Sequence, residues 1–180
     1  SQRGFVKEND PTSNVLFRQN NTTSIVDRNF DNREDRVIDS TAFAKIRLGF
    51  NSVNNYHRQI LLGFMNEFAT EGFDPGYDAP QLDAQPNDFY FTIPDAKLVI
   101  QGVDAFNAAK ILPLSVKNGL EGTVKFTLDE TENFDENQNI YIHDNITDLY
   151  HDIRNNDFEI NLPIGTFDSR FTLRFSSTSL

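Results

Sequence analysis

The feature that most constrains the fold is a period-two alternation of apolar and polar side chains from Ala44 onward. Successive side chains of a β-strand point to opposite faces, so the alternation predicts strands with one buried face and one face in water. The clearest runs are Ile46-Leu48-Phe50, Ile60-Leu62-Phe64, Val124-Phe126-Leu128, Phe158-Ile160-Leu162 and Phe171-Leu173-Phe175. Leu98 and Ile100 form a further run, and shorter strands are predicted at residues 89–93, 111–116, 140–143 and 149–153.

These strands predict an all-β fold. Clusters of Gly, Pro, Asn and Asp separate them about every ten residues, a spacing typical of sandwiches and barrels, and no segment has a convincing helical pattern. One apolar face per strand favours two sheets packed face to face. We therefore expect residues 39–180 to form a two-sheet β-sandwich of the jelly-roll or Greek-key type.

Residues 1–38 differ in composition from the rest of the chain. Short strand candidates at residues 4–7 and 15–18 flank the turn sequence Asn9-Asp10-Pro11, which predicts a peripheral N-terminal hairpin. Residues 20–39 are rich in Asn, Asp and Arg, as long polar loops are. We expect this segment to pack on the sandwich.

Composition argues against several classes of function. The chain has no cysteine, which removes disulfide scaffolds, thiol catalysis and cysteine-based zinc sites. Its net charge of −11 argues against a nucleic-acid partner, because phosphate binding requires a basic surface. No apolar run approaches about 18 residues, so no membrane insertion is expected. With 17 phenylalanines and no tryptophan, the core is expected to be built from Phe.

Catalytic motifs are not found in the sequence, and we expect a protein that is not an enzyme. A hairpin turning near residues 145–147 is expected to bring His143 and His151 opposite each other, each followed by an aspartate. Adjacent strand residues point to opposite faces, so neither aspartate orients its own histidine as a triad requires. Arg170 is expected to form a structural ion pair with an acid of this hairpin.

An acidic loop is the best candidate for a site. It contains no basic residue, and its carboxylates are Glu71, Asp74, Asp78, Asp83 and Asp88. Calcium takes oxygen ligands from irregular loops, so these residues form a candidate calcium site. The alternative is that they only solvate an acidic protein. Tyr77 and Tyr90 lie in and beside the loop as candidate ligand-binding residues, because sugar rings stack on tyrosine.

Several phrases occur together in an order that covers nearly the whole chain: residues 1–8 (SQRGFVKE), 45–50 (KIRLGF), 56–64 (YHRQILLGF), 69–79 (ATEGFDPGYDA), 140–145 (IYIHDN) and 165–175 (GTFDSRFTLRF). In this ordered set the chain resembles a module found near the C-termini of large secreted and cell-surface proteins of Bacteroidetes. That module stands just before the sorting domain read by the type IX secretion system. The resemblance implies export to the cell surface or medium, with the sorting domain beginning after Leu180.

Together these features lead to two functional hypotheses. The first is a non-catalytic extracellular structural or adhesive module of a larger type IX secretion cargo protein. The second is a carbohydrate-binding module, calcium-assisted, attached to a polysaccharide-active enzyme or an adhesin. The expected partners are the type IX secretion machinery, through the C-terminal sorting domain, and an extracellular polysaccharide or glycan.

Overall fold

The computed structural model describes residues 43–177, and this part of the chain is all-β, as predicted. Its strands are β1 (Ala44–Asn51), β2 (His57–Phe64), β3 (Ala79–Pro80), β4 (Asp88–Ile93), β5 (Ala96–Val103), β6 (Ile111–Asn118), β7 (Gly122–Glu132), β8 (Tyr141–Asp144), β9 (Leu149–Asp152), β10 (Phe158–Leu162) and β11 (Gly165–Arg174). The one helical element there is a 3₁₀ turn at Asn66–Phe68. Within residues 43–177 no helix is long and apolar enough to cross a membrane. The predicted N-terminal hairpin lies outside the described residues.

All eleven strands belong to one hydrogen-bonded sheet. Its order is β10-β7-β1-β2-β5-β4-β6-β11-β8-β9, with β3 paired to β5 beside this path. Neighbours are antiparallel except β2 and β5. The two end strands, β9 and β10, approach each other. This is shown by the ring of His151 on β9, which stacks on Phe158 of β10 with centroids 3.6 Å apart. The result is a nearly closed, barrel-like sheet, which differs from two separate sheets.

The core is built from phenylalanine, as the composition predicts. The ring of Phe126 on β7 lies 5.6 Å from Phe50, 5.5 Å from Phe89, 5.6 Å from Phe158 and 5.1 Å from Phe171, measured between centroids. These five rings come from five strands spread across the sheet, so the curled sheet brings its two halves into contact. Full burial of each such ring stabilises the fold by roughly 1.5–3 kcal/mol.

Strand β5 departs from the predicted alternation. Leu98 is buried as expected, but Ile100 is 37% exposed and Gln101 is 1% exposed. Leu98 pairs with Phe91 on one side, and Gln101 pairs with Leu62 on the other, so both point into the core. Two inward positions three residues apart require a local irregularity, and β3 pairs with β5 at this point with a shifted register. The prediction that Ile100 is buried was wrong for this reason.

The predicted hairpin of β8 and β9 is present, but its register differs from the expected one. His143 pairs with Tyr150, while His151 pairs with Ile142. The two histidines therefore point to opposite faces of the sheet, and the expectation that they face each other was wrong.

Candidate binding face

Three carboxylates of the acidic loop form ion pairs with cationic side chains. Asp83 accepts two hydrogen bonds from the guanidinium of Arg58, at 3.0 and 2.8 Å. The Nε of the same arginine lies 2.9 Å from Oδ1 of Asp88, which is fully buried. Glu71 contacts Nζ of Lys110 at 2.8 Å, far along the chain. These carboxylates are thus compensated by protein cations at two separate places.

The other two carboxylates, Asp74 and Asp78, organise the loop itself. Oδ2 of Asp74 accepts hydrogen bonds from the backbone N (2.6 Å) and Oγ1 (2.9 Å) of Thr70. Asp78 accepts from the backbone N of Asp74 and of Gly102, both at 2.7 Å. Burial raises the pKa of Asp78 against the opposing effect of these two bonds. Within residues 43–177 no group of three or more His, Asp and Glu side chains is arranged to hold a metal, and the calcium site stays a prediction.

The two tyrosines predicted beside the loop have different environments. Tyr90 is 1% exposed, so its ring presents no face to a sugar. Its hydroxyl accepts a hydrogen bond from Nζ of Lys97 at 3.0 Å and donates one to Asp168 at 3.4 Å. The bond to Tyr90 raises the pKa of Lys97. Tyr77 is half-buried and packs with its Cβ over Gly102.

The outer face of β6, β11, β8 and β9 carries a different set of side chains, which we call the tyrosine face. Directly opposed residues share a face, and Leu112, Leu173 and Ile142 are buried in the core. Their strand neighbours therefore point outward. They form two cross-strand rows, Ile111-Arg174-Tyr141-Asp152 and Pro113-Thr172-His143-Tyr150.

Both tyrosine rings of this face are held in place by neighbours. Tyr141 and Tyr150 meet edge to face with centroids 6.0 Å apart. Tyr150 lies 4.1 Å from the ring of His143, whose Nε2 is 2.9 Å from Oδ1 of Asp148. Nδ2 of Asn139 donates a hydrogen bond of 2.6 Å to the hydroxyl of Tyr141. Fixing the rings before a ligand arrives lowers the entropy lost on binding.

One ring nitrogen of His143 has no hydrogen-bond partner in the described part of the chain. It is 5% exposed, and its Nδ1 is buried with no hydrogen-bond partner among residues 43–177. A buried polar atom without a partner is destabilising, and native proteins retain few of them. The tyrosine face therefore contains a polar group whose hydrogen bonding is not completed by the described part of the protein.

Arg174 supplies a charge to the tyrosine face. Its Nε donates a hydrogen bond of 3.1 Å to Oγ1 of Thr172. No carboxylate of residues 43–177 forms an ion pair with it, whereas Arg47, Arg58 and Arg170 each pair with at least one. The remaining guanidinium N–H groups of Arg174 are therefore not engaged by an acidic side chain of the described residues.

The outer face of the other half of the sheet carries oppositely charged side chains that pair with one another. It spans β10, β7, β1 and β2, and its contacts are Lys45–Glu132 (3.1 Å), Arg47–Glu130 (3.1 Å), Lys125–Glu159 (3.1 Å) and His57–Asp129 (3.0 Å). Exposed pairs of this kind contribute little to stability. They also leave little unpaired charge for a partner, so this half is a poor candidate for a binding surface.

The predicted ion pair of Arg170 with the hairpin is confirmed. Nε and Nη2 of Arg170 donate to the two carboxylate oxygens of Asp144 at 3.1 and 2.8 Å. Burial disfavours the charged carboxylate, but these bonds and the one from the backbone of Ile146 outweigh it and lower the pKa of Asp144. The guanidinium also lies 5.2 Å from the ring centre of Phe171. This pair fixes β8 against β11 and thereby positions the tyrosine face.

Sequence reasoning missed the tyrosine face. Tyr141 precedes the buried Ile142, and Arg174 follows the buried Leu173, so the outward direction of both side chains was readable from the alternation. Their proximity was not, because it depends on β8 pairing with β11.

Comparison with protein families identifies a relationship over nearly the whole chain. A family model described as a domain of unknown function, DUF8693, matches residues 1–175. No curated protein and no solved structure matches the chain. Because the family match covers most of the 180 residues, the chain belongs to the domain family DUF8693.

Proposed function

We propose that this domain is a non-catalytic structural or adhesive module of a larger secreted or surface-anchored protein, and that it makes its contacts through the tyrosine face. The observation that carries the proposal is the placement of two half-buried tyrosine rings on the same sheet face as Arg174, which lacks a carboxylate partner among residues 43–177. Tyrosine and arginine are enriched at the energetically dominant positions of binding surfaces. Export through the type IX system is supported by the sequence resemblance.

The use of the histidines supports a non-catalytic role. The two ring nitrogens of His57 lie 2.9 Å from Asn51 and 3.0 Å from Asp129. His143 lies beneath Tyr150, and His151 stacks on a core phenylalanine. Each histidine is engaged in a contact that holds strands or side chains together, as structural histidines are.

A carbohydrate-binding module is the second candidate. Tyrosine rings combine an apolar surface with a polar edge, which suits the faces and hydroxyl groups of sugars. The tyrosine face offers two such rings on a sheet surface, and the acidic loop with Tyr77 offers an alternative placement that calcium would assist. A ligand of either site would be an extracellular polysaccharide or glycan.

We also propose that the curled sheet derives from a jelly-roll or Greek-key sandwich. Strands β7 and β11 lie beside β1 and β6, from which they are distant along the chain, and such pairing of non-consecutive strands is a feature of Greek-key folds. The parallel pair of β2 and β5 departs from the antiparallel pattern of a jelly roll.

The adhesive role is tested by deleting residues 1–180 from the full-length parent protein. We expect export to continue and attachment of cells to a surface to fall. The matched comparison is a parent carrying Tyr141→Ala and Tyr150→Ala, which keeps the module but alters its face. If deletion leaves export, surface assembly and attachment unchanged, the adhesive role is refuted.

The carbohydrate-binding role is tested on an array of plant, algal and bacterial polysaccharides, probed with the whole chain in calcium and in chelator. Loss of binding in the Tyr141→Ala, Tyr150→Ala variant, with retention in Tyr77→Ala, would assign the ligand to the tyrosine face. The reverse pattern, with dependence on calcium, would assign it to the acidic loop. Binding to no polysaccharide would reject this candidate and leave the first.

A further inference from the structure

The chemistry of a ligand for the tyrosine face is indicated by Arg174. A guanidinium presents a planar set of N–H donors that matches a carboxylate with two parallel hydrogen bonds. The structure contains such pairs elsewhere, in Arg170 with Asp144 and Arg58 with Asp83. In Arg174 only Nε has a hydrogen-bond acceptor among residues 43–177, the hydroxyl of Thr172. That bond leaves its two terminal nitrogens without an acceptor among these residues.

The acidic side chain closest in register to Arg174 does not neutralise it. Asp152 lies in the same row beyond Tyr141. Its Oδ1 accepts from the backbone of Arg154 at 3.0 Å, and its Oδ2 accepts from Nδ2 of Asn155 at 2.7 Å. Both carboxylate oxygens of Asp152 are thus engaged in the turn that follows β9 and form no ion pair with Arg174.

Two aromatic side chains share the sheet face of this cation. Tyr141 is the cross-strand partner of Arg174, and directly opposed side chains on a sheet have Cβ atoms about 4.5–5.5 Å apart. The ring of Tyr150 lies 6.0 Å from the ring of Tyr141, measured between centroids. A cation on the same sheet face as two aromatic rings complements a ligand in which a negatively charged group is attached to a compact ring with an apolar face.

We propose that the tyrosine face binds saccharides that carry a carboxylate, with uronic acid residues as the ligand class. The carboxylate pairs with the terminal nitrogens of Arg174, and the sugar ring packs on Tyr141 and Tyr150. This inference rests on the proposed function of the face as a binding surface. The net charge of −11 repels a long polyanion, so recognition depends on the short-range pair at Arg174, and added salt weakens it little because screening also reduces the repulsion.

The test uses a short oligogalacturonate and its fully methyl-esterified form, which has the same rings but no charge. Binding of each to the whole chain is measured by titration calorimetry. We expect the acid to bind at least about tenfold more tightly than the ester, and Arg174→Gln to remove that preference. Arg174→Lys keeps the charge without the paired geometry, so its affinity for the acid should be intermediate.

The matched control is Lys117→Gln, which removes the same charge from an exposed side chain on β6 away from the tyrosine rows. It should bind the acid as the unaltered chain does. Thermal melts of all variants establish that they are folded.

The outcomes distinguish failure of the uronate assignment from failure of the tyrosine face as a binding surface. Equal binding of acid and ester, or an unaffected Arg174→Gln variant, overturns the uronate assignment while leaving a binding face in place. Binding that survives the Tyr141→Ala, Tyr150→Ala variant moves the site elsewhere and refutes the proposed face itself. Binding of neither oligosaccharide overturns the uronate assignment, and the attachment assay on the parent protein then decides the adhesive role.

Discussion

Replacing Asp144 with asparagine removes one partner of the buried ion pair between β8 and β11 while keeping the size of the side chain. The carboxylate is 1% exposed, and the side chain of Arg170 is 15% exposed. The variant loses two charge-assisted hydrogen bonds, at 3.1 and 2.8 Å, and leaves a mostly buried guanidinium without its counter-charge. An asparagine oxygen can still accept from the backbone of Ile146 and from one N–H of Arg170.

The expected loss of stability follows from this geometry. Breaking a fully buried pair by removing one partner costs about 3–5 kcal/mol. Water reaches part of Arg170, and one of the hydrogen bonds is replaced, so we expect about 2–3 kcal/mol. With a urea dependence of about 2 kcal/mol per M, the unfolding midpoint falls by roughly 1–1.5 M.

The assay is urea unfolding of the whole chain, followed by tyrosine fluorescence because the chain has no tryptophan. The control is Lys125→Gln, which breaks exposed ion pairs with Glu159 and Asp157 and should leave the midpoint unchanged. The double variant Asp144→Asn, Arg170→Gln leaves no unpaired charge, so its loss should be smaller than the sum of the two single losses. A midpoint for Asp144→Asn within about 0.25 M of the unaltered chain would refute the reasoning.

The same variant carries a pH signature. The pKa of Asp144 lies below its ordinary 3.8, because its hydrogen bonds outweigh the effect of burial. The unfolded state therefore binds the proton more readily than the folded state. The stabilisation from Asp144 is present above about pH 3.8 and is lost as pH falls through the pKa of the folded state. The variant Asp144→Asn has no carboxyl group at this position, so its free energy of unfolding should lack this decrease at low pH.

Three further outcomes are expected. Burial lowers the pKa of His151 below 6.5, so the unfolded chain binds the proton more readily than the folded chain. The melting temperature should therefore fall as pH drops from about 7.5 to about 5. The variant His151→Phe keeps an aromatic ring against Phe158 and should flatten this pH dependence. Gly119→Ala would place a Cβ 2.8 Å from the carbonyl oxygen of Pro86 and should destabilise by about 1–3 kcal/mol in urea unfolding, whereas Gly72→Ala meets its nearest atom at 3.4 Å and should change little. A calcium site in the acidic loop requires that millimolar calcium raise the melting temperature relative to chelator; equal temperatures would remove calcium from the loop.

Much of the local structure was readable from the sequence because strand alternation is a local property. The runs at Ile46-Leu48-Phe50 and Phe171-Leu173 lie in strands and have buried apolar side chains, as predicted, and Phe175 is buried directly after the end of β11. The ion pair of Arg170 was also predicted, since a cation at the entry to a strand beside an acidic hairpin has few other partners. For the strand runs the relevant information lies within a few residues of each side chain, whereas the ion pair joins residues 26 positions apart.

Strand β5 and the acidic loop show where local information ends. Whether Ile100 or Gln101 points inward depends on where β2, β3 and β4 pair with β5, and these strands are distant in sequence. The acidic loop is dense in carboxylates along the chain, but cations from elsewhere, Arg58 and Lys110, take up three of them. A cluster in sequence therefore does not amount to a cluster in space.

The sequence by itself determined that the chain forms strands, which face of most strands is buried, and that the core is made of phenylalanine, because these follow from side-chain periodicity and composition. Only the tertiary structure decided that the strands join in one curled sheet, that His151 meets Phe158 where its ends approach, and that Tyr141, Tyr150 and Arg174 share an outer face. The physical reason is that long-range strand pairing is selected by the packing of the whole core, and no single segment specifies its partner.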